Sequence, residues 1–544
     1  MITEFFSRWE RDAPNRVFLR QPVARQWREF SYAYAGREIR SMAAALQAMG
    51  LEKGARVAIL SKNCAHWIMA DLAILMAGFV SVPLYATLSA HGIRQILEHS
   101  GAQAIFIGKL DEYSQQKEGI PSDVKKISFP WYGPEEGESW SQLVERYPPL
   151  VSSTLHPNDL ATLMYTSGTT GVPKGVMFNH RVFSEVAKTE DLVMKRFGLT
   201  HPMHLFSFLP LSHIAERNVI EILSLWTGST VSFVESLETF AADLSSVQPH
   251  VFFAVPRIWA KFQEKIFEKL PPQRLNTILK IPVVGTLLKN KIKKGLGLSR
   301  AVLTISGAAP MPIALLQWYQ QLGITIREVY GMTENGAISH GNLGEVKFGT
   351  VGQAWPGVEV RLSAEGEVQT RHGGTMQGYY QEPQLTHEVF TEDGFLKTGD
   401  QGSVDAQGYL TITGRIKDLF KTDKGKYVAP APIEMKLLTN PDIEKVCVVG
   451  MGIPQPIALT ILSALGKAKS KADIESSLSA SLQGVNVTLE SYEKLETAVI
   501  LQNDWTVENG LMTPTLKNKR NEIEKLYLAR YPRWYHEPGL VVWE

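Results

Sequence analysis

The stretch "MYTSGTTGVPKGVMFNH", residues 164–180, follows an apolar run and packs three Thr, one Ser, three Gly and one Lys into residues 166–175. Glycines let a backbone approach a ligand closely, and successive N–H groups can form a nest for an anion. Lys174 adds a point charge suited to phosphate. The plainer reading is a flexible linker, the usual fate of Gly/Ser/Thr-rich runs. The Walker A spelling, G-x-x-x-x-G-K-[ST], is not met: Pro173 precedes Lys174 and Gly175 follows it. If this loop holds phosphate, it is a phosphate loop of another kind.

Working outward, apolar helical and strand-like runs alternate over the first 150 residues or so. "SMAAALQAMG" reads as a helix closed by Gly50 and "RVAIL" as a strand. "NCAHWIMADLAILMAG" reads as a helix, "AQAIFIG" as a strand, "LATLMYT" as the strand before the loop and "VFSEVAKTEDLVMKRFG" as a helix after it. Such alternation predicts an α/β fold with a mainly parallel, helix-covered sheet. From about residue 350 the texture changes to short strands and glycine turns, "VEVRLSAEGEVQT", "GFLKTGD" and "GYLTITGR". We expect a large unit over residues 1–416, with a β-rich part near 350–416, and a smaller α+β unit over 417–544.

A chain of 544 residues with 44% hydrophobic and 20% charged residues has material for several packed cores. Its net charge of +1 excludes nucleic-acid binding driven by bulk positive charge. Cys64 and Cys447 stand in no metal-ligand spacing and make no disulfide scaffold. "MITEFFSRWERDAP" lacks a charged-then-apolar leader pattern, and "WIMADLAILMAGFVSVPLYA", interrupted by Asp71, reads as a buried helix and strand. A cytoplasmic location is expected.

"YTSGTTGVPKG" closely resembles the phosphate loop of the adenylate-forming enzymes: acyl-CoA synthetases, luciferases and peptide-synthetase adenylation domains. Further family motifs follow in order: "SGAAP" (306–310), "VYGMTE" (329–334), "KTGD" (397–400), "GRIKDLFKTDKGKYVAPAPIE" (414–434) and "LMTPTLKNKR" (511–520), the last with Met for Leu. The resemblance spans nearly the whole chain. Softer cues, "LPLSHIAER", "VPRIWAKFQEKI" and "GKYVAP", are similar to long-chain fatty acid CoA ligases. The implied fold is a large N-terminal adenylate-forming domain of layered sheets and helices plus a small mobile C-terminal α+β domain.

The resemblance implies two half-reactions. A fatty acid and ATP give acyl-AMP and pyrophosphate, and then the thiol of coenzyme A takes the acyl group. Thr166, Ser167, Gly168, Thr169, Thr170, Gly171 and Lys174 would hold the phosphates. Glu334, with Thr166, would bind Mg2+, and Thr333 would contact the α-phosphate. Tyr330 and Gly331, with Gly307, Ala308 and Ala309 opposite, would enclose adenine. Asp400 would take the ribose hydroxyls and Arg415 would hold ribose or phosphate. Lys517 would serve adenylation, Lys417 would be the hinge, and Gly425 would enter beside the pantetheine in the second half-reaction. Against these stand plainer readings: a capping glutamate, a core tyrosine, a Gly–Asp turn and a solvated lysine run containing Lys519. His213 lies where the family has a histidine or aromatic near the acyl carboxylate. A gating tryptophan found in some bacterial members has no counterpart, because Arg217 takes its place and Trp226 is no substitute.

Residues 274–300, "RLNTILKIPVVGTLLKNKIKKGLGLSR", carry seven Lys or Arg and no acid. They read either as a peripheral membrane contact or as a surface insertion with solvated lysines, and Pro282 and Gly285 interrupt any continuous helix. The sequence-based expectation is a medium- to long-chain fatty acid–CoA ligase. The alternatives are a fatty acyl-AMP ligase loading an acyl-carrier protein and a nucleotide-binding relative without turnover. Dimers are known in the family, and formal charge does not decide the oligomeric state.

Overall fold

A computed structural model describes every residue except 152–153, 168–172, 200, 508 and 514–516. At its centre is an eight-stranded sheet. Strands Arg56–Leu60, Val80–Leu84, Ala102–Ile107, Lys125–Ser128 and Leu160–Ser167 run parallel within it. The helix Ala65–Met76 is buried on every side, as an all-round apolar helix must be. Among the described residues no helix is long and apolar enough to cross a membrane.

The sequence pattern predicts strand, loop and then helix around residue 168. The structure inserts a returning strand, Pro173–Asn179, antiparallel to Leu160–Ser167. Val176 and Phe178 alternate into the core on this strand, and Pro173 sits at its first position, where its missing N–H is tolerated. The pairing register sets Thr166 opposite Lys174 and Ser167 opposite Pro173. Helix His180–Arg196 follows, capped by the Asn179 side chain, which accepts from the Val182 N–H. Gly378–Tyr379 adds to the edge of the sheet beside Pro173–Asn179.

A second sheet brings Val251–Ala254, Leu303–Ser306 and Ile326–Tyr330 together in parallel. Its strand ends deliver Gly307 and Gly331, the carboxyl-end position where open α/β sheets bind ligands. Strands Glu359–Leu362, Glu367–Arg371, Leu396–Val404 and Leu410–Arg415 form an antiparallel sheet in which Asp400 and Arg415 are register partners.

The C-terminal residues build their own sheet from Ile443–Val449, Ile457–Leu462, Ala498–Ile500 and Val541–Trp543. Val446, Val448 and Leu478 belong to the core on one face, and Cys447, Val449 and Trp505 to the core on the other. A strand whose successive residues enter opposite cores belongs to a sheet covered on both sides. Arg257, in the first turn of helix Pro256–Lys269, is ion-paired with Glu444 of this sheet. Both cysteines are buried and free.

Candidate active site

Asp400 is the centre of a short chain of contacts. Its Oδ2 accepts from the Tyr330 hydroxyl at 2.6 Å and its Oδ1 from Arg415 Nε at 2.8 Å. Burial pushes the Tyr330 phenol well above its ordinary value, and the Asp400 charge adds to that. The Asp400 charge, acting against burial, raises Arg415 in turn. Asp400 is buried, whereas the Arg415 side chain is 50% exposed.

Lys517 enters this field from the C-terminal unit. Its N–H donates to Thr513 Oγ1 at 3.0 Å, and its carbonyl accepts from the Thr513 N–H at 2.8 Å. Lys517 is exposed as a residue, with protein packed about its ammonium. Burial lowers its pKa first and Arg415 lowers it further, against the pull of Asp400 and Glu334. Burial brings the His213 imidazole down to about 4, and the Lys517 charge contributes. His213 also caps the turn Ile214–Glu216, its Nδ1 accepting from the Ala215 N–H at 3.2 Å. Lys519 has a different station, preceding helix Arg520–Tyr527.

Glu334 lies in the turn Thr333–Asn335, whose start Asn335 closes by accepting from the Met332 N–H at 2.9 Å. Its carboxylate accepts from the Tyr379 hydroxyl at 2.8 Å. The Lys174 ammonium lies 5.5 Å from the centre of the Tyr379 ring. Tyr379 thus joins the glutamate to the lysine beside the 168–172 loop, and motif reading missed it. Its signal in the sequence is an aromatic pair after a glycine-rich turn, "GGTMQGYY".

Gly307 and Gly331 have no room for a side chain. A Cβ on Gly307 would lie 2.9 Å from Val329 Cγ2, and one on Gly331 would lie 2.5 Å from the Ala337 carbonyl carbon. Ala308 holds φ +66°, a left-handed conformation that non-glycine residues adopt at a cost of about 1 kcal/mol. Ala309 is exposed and Thr333 half-buried. Thr166 and Lys174 are half-buried, whereas Gly168, Thr169, Thr170 and Gly171 lie outside the described residues; Ser167 is placed as the last residue of its strand. The structure therefore brings together Tyr330, Asp400, Arg415, Lys517, Glu334 and His213. Lys417 is exposed in the turn Ile416–Asp418 after Arg415. Gly425 does not join the cluster: it occupies an exposed turn at φ +75°, its N–H bonded to the Thr422 carbonyl at 2.8 Å.

Arg217 lies one residue past the Ile214–Glu216 turn, at the start of a π-helical turn, Arg217–Ile222, and is fully buried. Its Nη2 meets Asp71 Oδ2 at 2.6 Å, its Nε meets Glu221 Oε2 at 3.0 Å and its Nη1 donates to Thr162 Oγ1 at 2.9 Å. Trp226 is elsewhere, packed edge-on against Phe5 with ring centroids 4.8 Å apart.

The family profile described as "AMP-binding enzyme" matches residues 6–380, and that described as "AMP-binding enzyme C-terminal domain" matches residues 417–537. The chain is 29% identical to Long-chain-fatty-acid–CoA ligase FadD15 of Mycobacterium bovis, over 97% of this chain and 96% of that one. It is 28% identical to Long-chain-fatty-acid–CoA ligase ACSBG2 of Xenopus laevis, over 94% of this chain and 81% of that one. Among solved structures it resembles the adenylation domain of a carboxylate reductase from Mycobacterium chelonae, with TM-score 0.82 and 23% identity over 98% of this chain and 91% of that one. It also resembles o-succinylbenzoate CoA synthetase of Bacillus subtilis in complex with its acyl-adenylate, with TM-score 0.75 and 22% identity over 96% and 97%. At those identities the likeness shows the fold. Together with the two profile matches, it means that this chain belongs to the AMP-binding family of adenylate-forming enzymes, as an acyl ligase of that family.

Proposed function

We propose that the protein ligates a medium- to long-chain fatty acid to coenzyme A through an acyl-adenylate, releasing pyrophosphate and then AMP. The observation that supports the adenylation step is the hydrogen-bonded chain Tyr330–Asp400–Arg415, with Lys517 within reach of the charges of Asp400, Arg415 and Glu334. The names of the relatives support a fatty acid as substrate and coenzyme A as acceptor.

In the first half-reaction an acyl carboxylate oxygen attacks the α-phosphorus of ATP and the bond to pyrophosphate breaks. Two anions must meet, so neutralising charge and holding the line of attack are the main tasks. Lys517 serves both by binding the α-phosphate and the incoming carboxylate together. Neutral His213 lines the acyl side without adding charge. Asp400 accepts the ribose hydroxyls, with Tyr330 and Arg415 holding its carboxylate in place. Adenine lies between Tyr330 with Gly331 and the 307–309 backbone. Thr333 contacts the α-phosphate, and the 166–171 loop with Lys174 holds the others.

Among the described residues no three His, Cys, Asp or Glu side chains gather to hold a metal. A lone carboxylate with a nearby hydroxyl suits Mg2+, which keeps phosphate oxygens and waters as its other ligands. Glu334 and Thr166 would supply those two groups, and Tyr379 would steer the carboxylate. The bound ion would offset phosphate charge. For the second half-reaction we propose that residues 417–544 turn about Lys417 against residues 1–416, withdrawing Lys517 and bringing Gly425 to the pantetheine.

The test incubates the protein with ATP, Mg2+ and fatty acids of graded length, with and without coenzyme A, following pyrophosphate, AMP and thioester together. Acyl-CoA with equimolar AMP is expected. Acid-dependent ATP–pyrophosphate exchange without thioester would transfer the acceptor role to a carrier protein. No exchange with any acid would overturn the reading.

A further inference from the structure

The basic stretch noted in the sequence folds as a helical hairpin, Pro272–Leu279 and Pro282–Gly295. The interruption expected at Pro282 and Gly285 is only partial. Pro282 opens the second helix at a position where its missing N–H costs nothing. Gly285 lies inside that helix, and a Cβ there would stand 2.7 Å from the Leu279 carbonyl oxygen. Glycine thus closes the hairpin, and its tip protrudes.

At that tip four large apolar side chains face water. Val283 is 72% exposed, Leu287 65%, and Ile281 and Val284 47% each. A single exposed apolar residue is ordinary on a protein surface, but four within seven positions make a patch. Around the helix, Val283, Val284, Leu287, Lys291 and Lys294 fall within an arc of about 100° at 3.6 residues per turn. Gly285, Ile292 and Leu296 take the opposite side; Gly285 is buried there, and Ile292 and Leu296 pack on the core containing Trp259 and Tyr319. The outward face therefore changes character along its length, apolar at the tip and cationic toward the root. Lys291 lies about 6 Å and Lys294 about 10 Å along the axis from Leu287. Lys280 flanks the turn, and no acid occurs between Arg274 and Arg300.

We propose that this hairpin is a docking surface for an anionic lipid bilayer. The apolar tip enters the interface to the depth of roughly 5–10 Å typical of such elements, which sets Lys291 and Lys294 level with headgroup phosphates. Charge complementarity selects anionic lipid over neutral lipid. The hairpin follows helix Pro256–Lys269, which leaves the same sheet whose neighbouring strand ends at Gly307 of the candidate site. Docking would hold the ligase against the phase in which a long-chain acid dissolves. The proposal takes its purpose from the fatty-acid reading, but its test contains neither ATP nor acid, so either can fail alone.

The experiment is co-sedimentation with phosphatidylcholine vesicles, with and without phosphatidylglycerol. It compares the parent protein, the tip variant Val283→Asp/Leu287→Asp and the charge variant Lys291→Glu/Lys294→Glu. All four positions are exposed, and unchanged melting temperature and circular dichroism check that both variants fold. The parent is expected to pellet with the anionic vesicles, and each variant to lose about tenfold or more in vesicle affinity. Equal pelleting by all three proteins, or a parent that stays in solution, overturns the proposal. Loss in the charge variant alone also overturns it, because that result describes electrostatic adsorption to headgroups without entry of the apolar tip.

Discussion

Arg217 and Arg415 each grip an aspartate at hydrogen-bond distance, 2.6 Å for Asp71 and 2.8 Å for Asp400, yet their surroundings give them opposite work. Arg217 and both its carboxylate partners are fully buried. Burial, with Asp71 adding to it, holds the Glu221 carboxyl well above the usual range. It ties three segments together: the buried helix Ala65–Met76, the strand leading to the 168–172 loop, and the turn following His213. Arg415 keeps half its side chain in water and can change partners cheaply. The same chemical pair is framework where solvent is excluded and, under the proposed function, ligand machinery where it is admitted.

The sharpest way to break the comparison is Arg217→Met. It leaves the buried acids Asp71 and Glu221 without their arginine, and a loss of about 3–5 kcal/mol is expected. The loss should appear as a large fall in melting temperature or as insoluble protein, and adding Asp71→Asn and Glu221→Gln should recover much of it. A melting temperature within a few degrees of the parent would refute the framework role. Lys517→Ala should do the reverse, leaving melting unchanged while ATP–pyrophosphate exchange falls about 10²–10³-fold. Asp400→Asn keeps the shape but loses the charge facing Arg415, so the KM for ATP should rise about tenfold with kcat less affected. Tyr379→Phe removes one hydrogen bond from Glu334, and a several-fold fall in kcat at limiting Mg2+, about 1 kcal/mol, should follow and fade as Mg2+ saturates.

A pH series sharpens the buried side of the contrast with the smallest effect. Burial depresses His180, His213, His340 and His372 to about 4 and His66 to about 3. Their unfolded values are higher, so the stability they contribute is present above about pH 6.5 and lost as pH falls through their folded values. Burial raises Glu190 and Glu216 to about 8, so their contribution is full below their unfolded values and lost as pH rises through 8. The melting temperature should therefore peak near pH 6.5, and Glu190→Gln should flatten its alkaline side. An unaltered slope in that variant would remove Glu190 from the account.

Much of the candidate site was legible because each family motif is local: a few consecutive residues deliver Tyr330, Glu334, Asp400 or Lys517 to its place. Tyr379 was not legible, since it meets Glu334 only after the Gly378–Tyr379 strand joins the sheet edge, a pairing no local pattern announces. The returning strand Pro173–Asn179 was hidden by its own proline, which reads as a breaker unless its edge position is known. Arg217 was noticed as a departure from the family, but its two acids lie 146 and 4 residues away, and only the packed core brings the distant one to it.

The ion pair between Arg257 and Glu444 spans the two units where both side chains meet water, at 38% and 27% exposure. Dissolved salt competes with such a pair, since the Debye length shrinks from about 10 Å at 0.1 M to about 3 Å at 1 M. The contact between the units is thus held in part by a clasp that ionic strength loosens, while the buried Arg217 cluster is indifferent to the same change. Raising salt should weaken this contact between the units while leaving the buried Arg217 pairs unscreened.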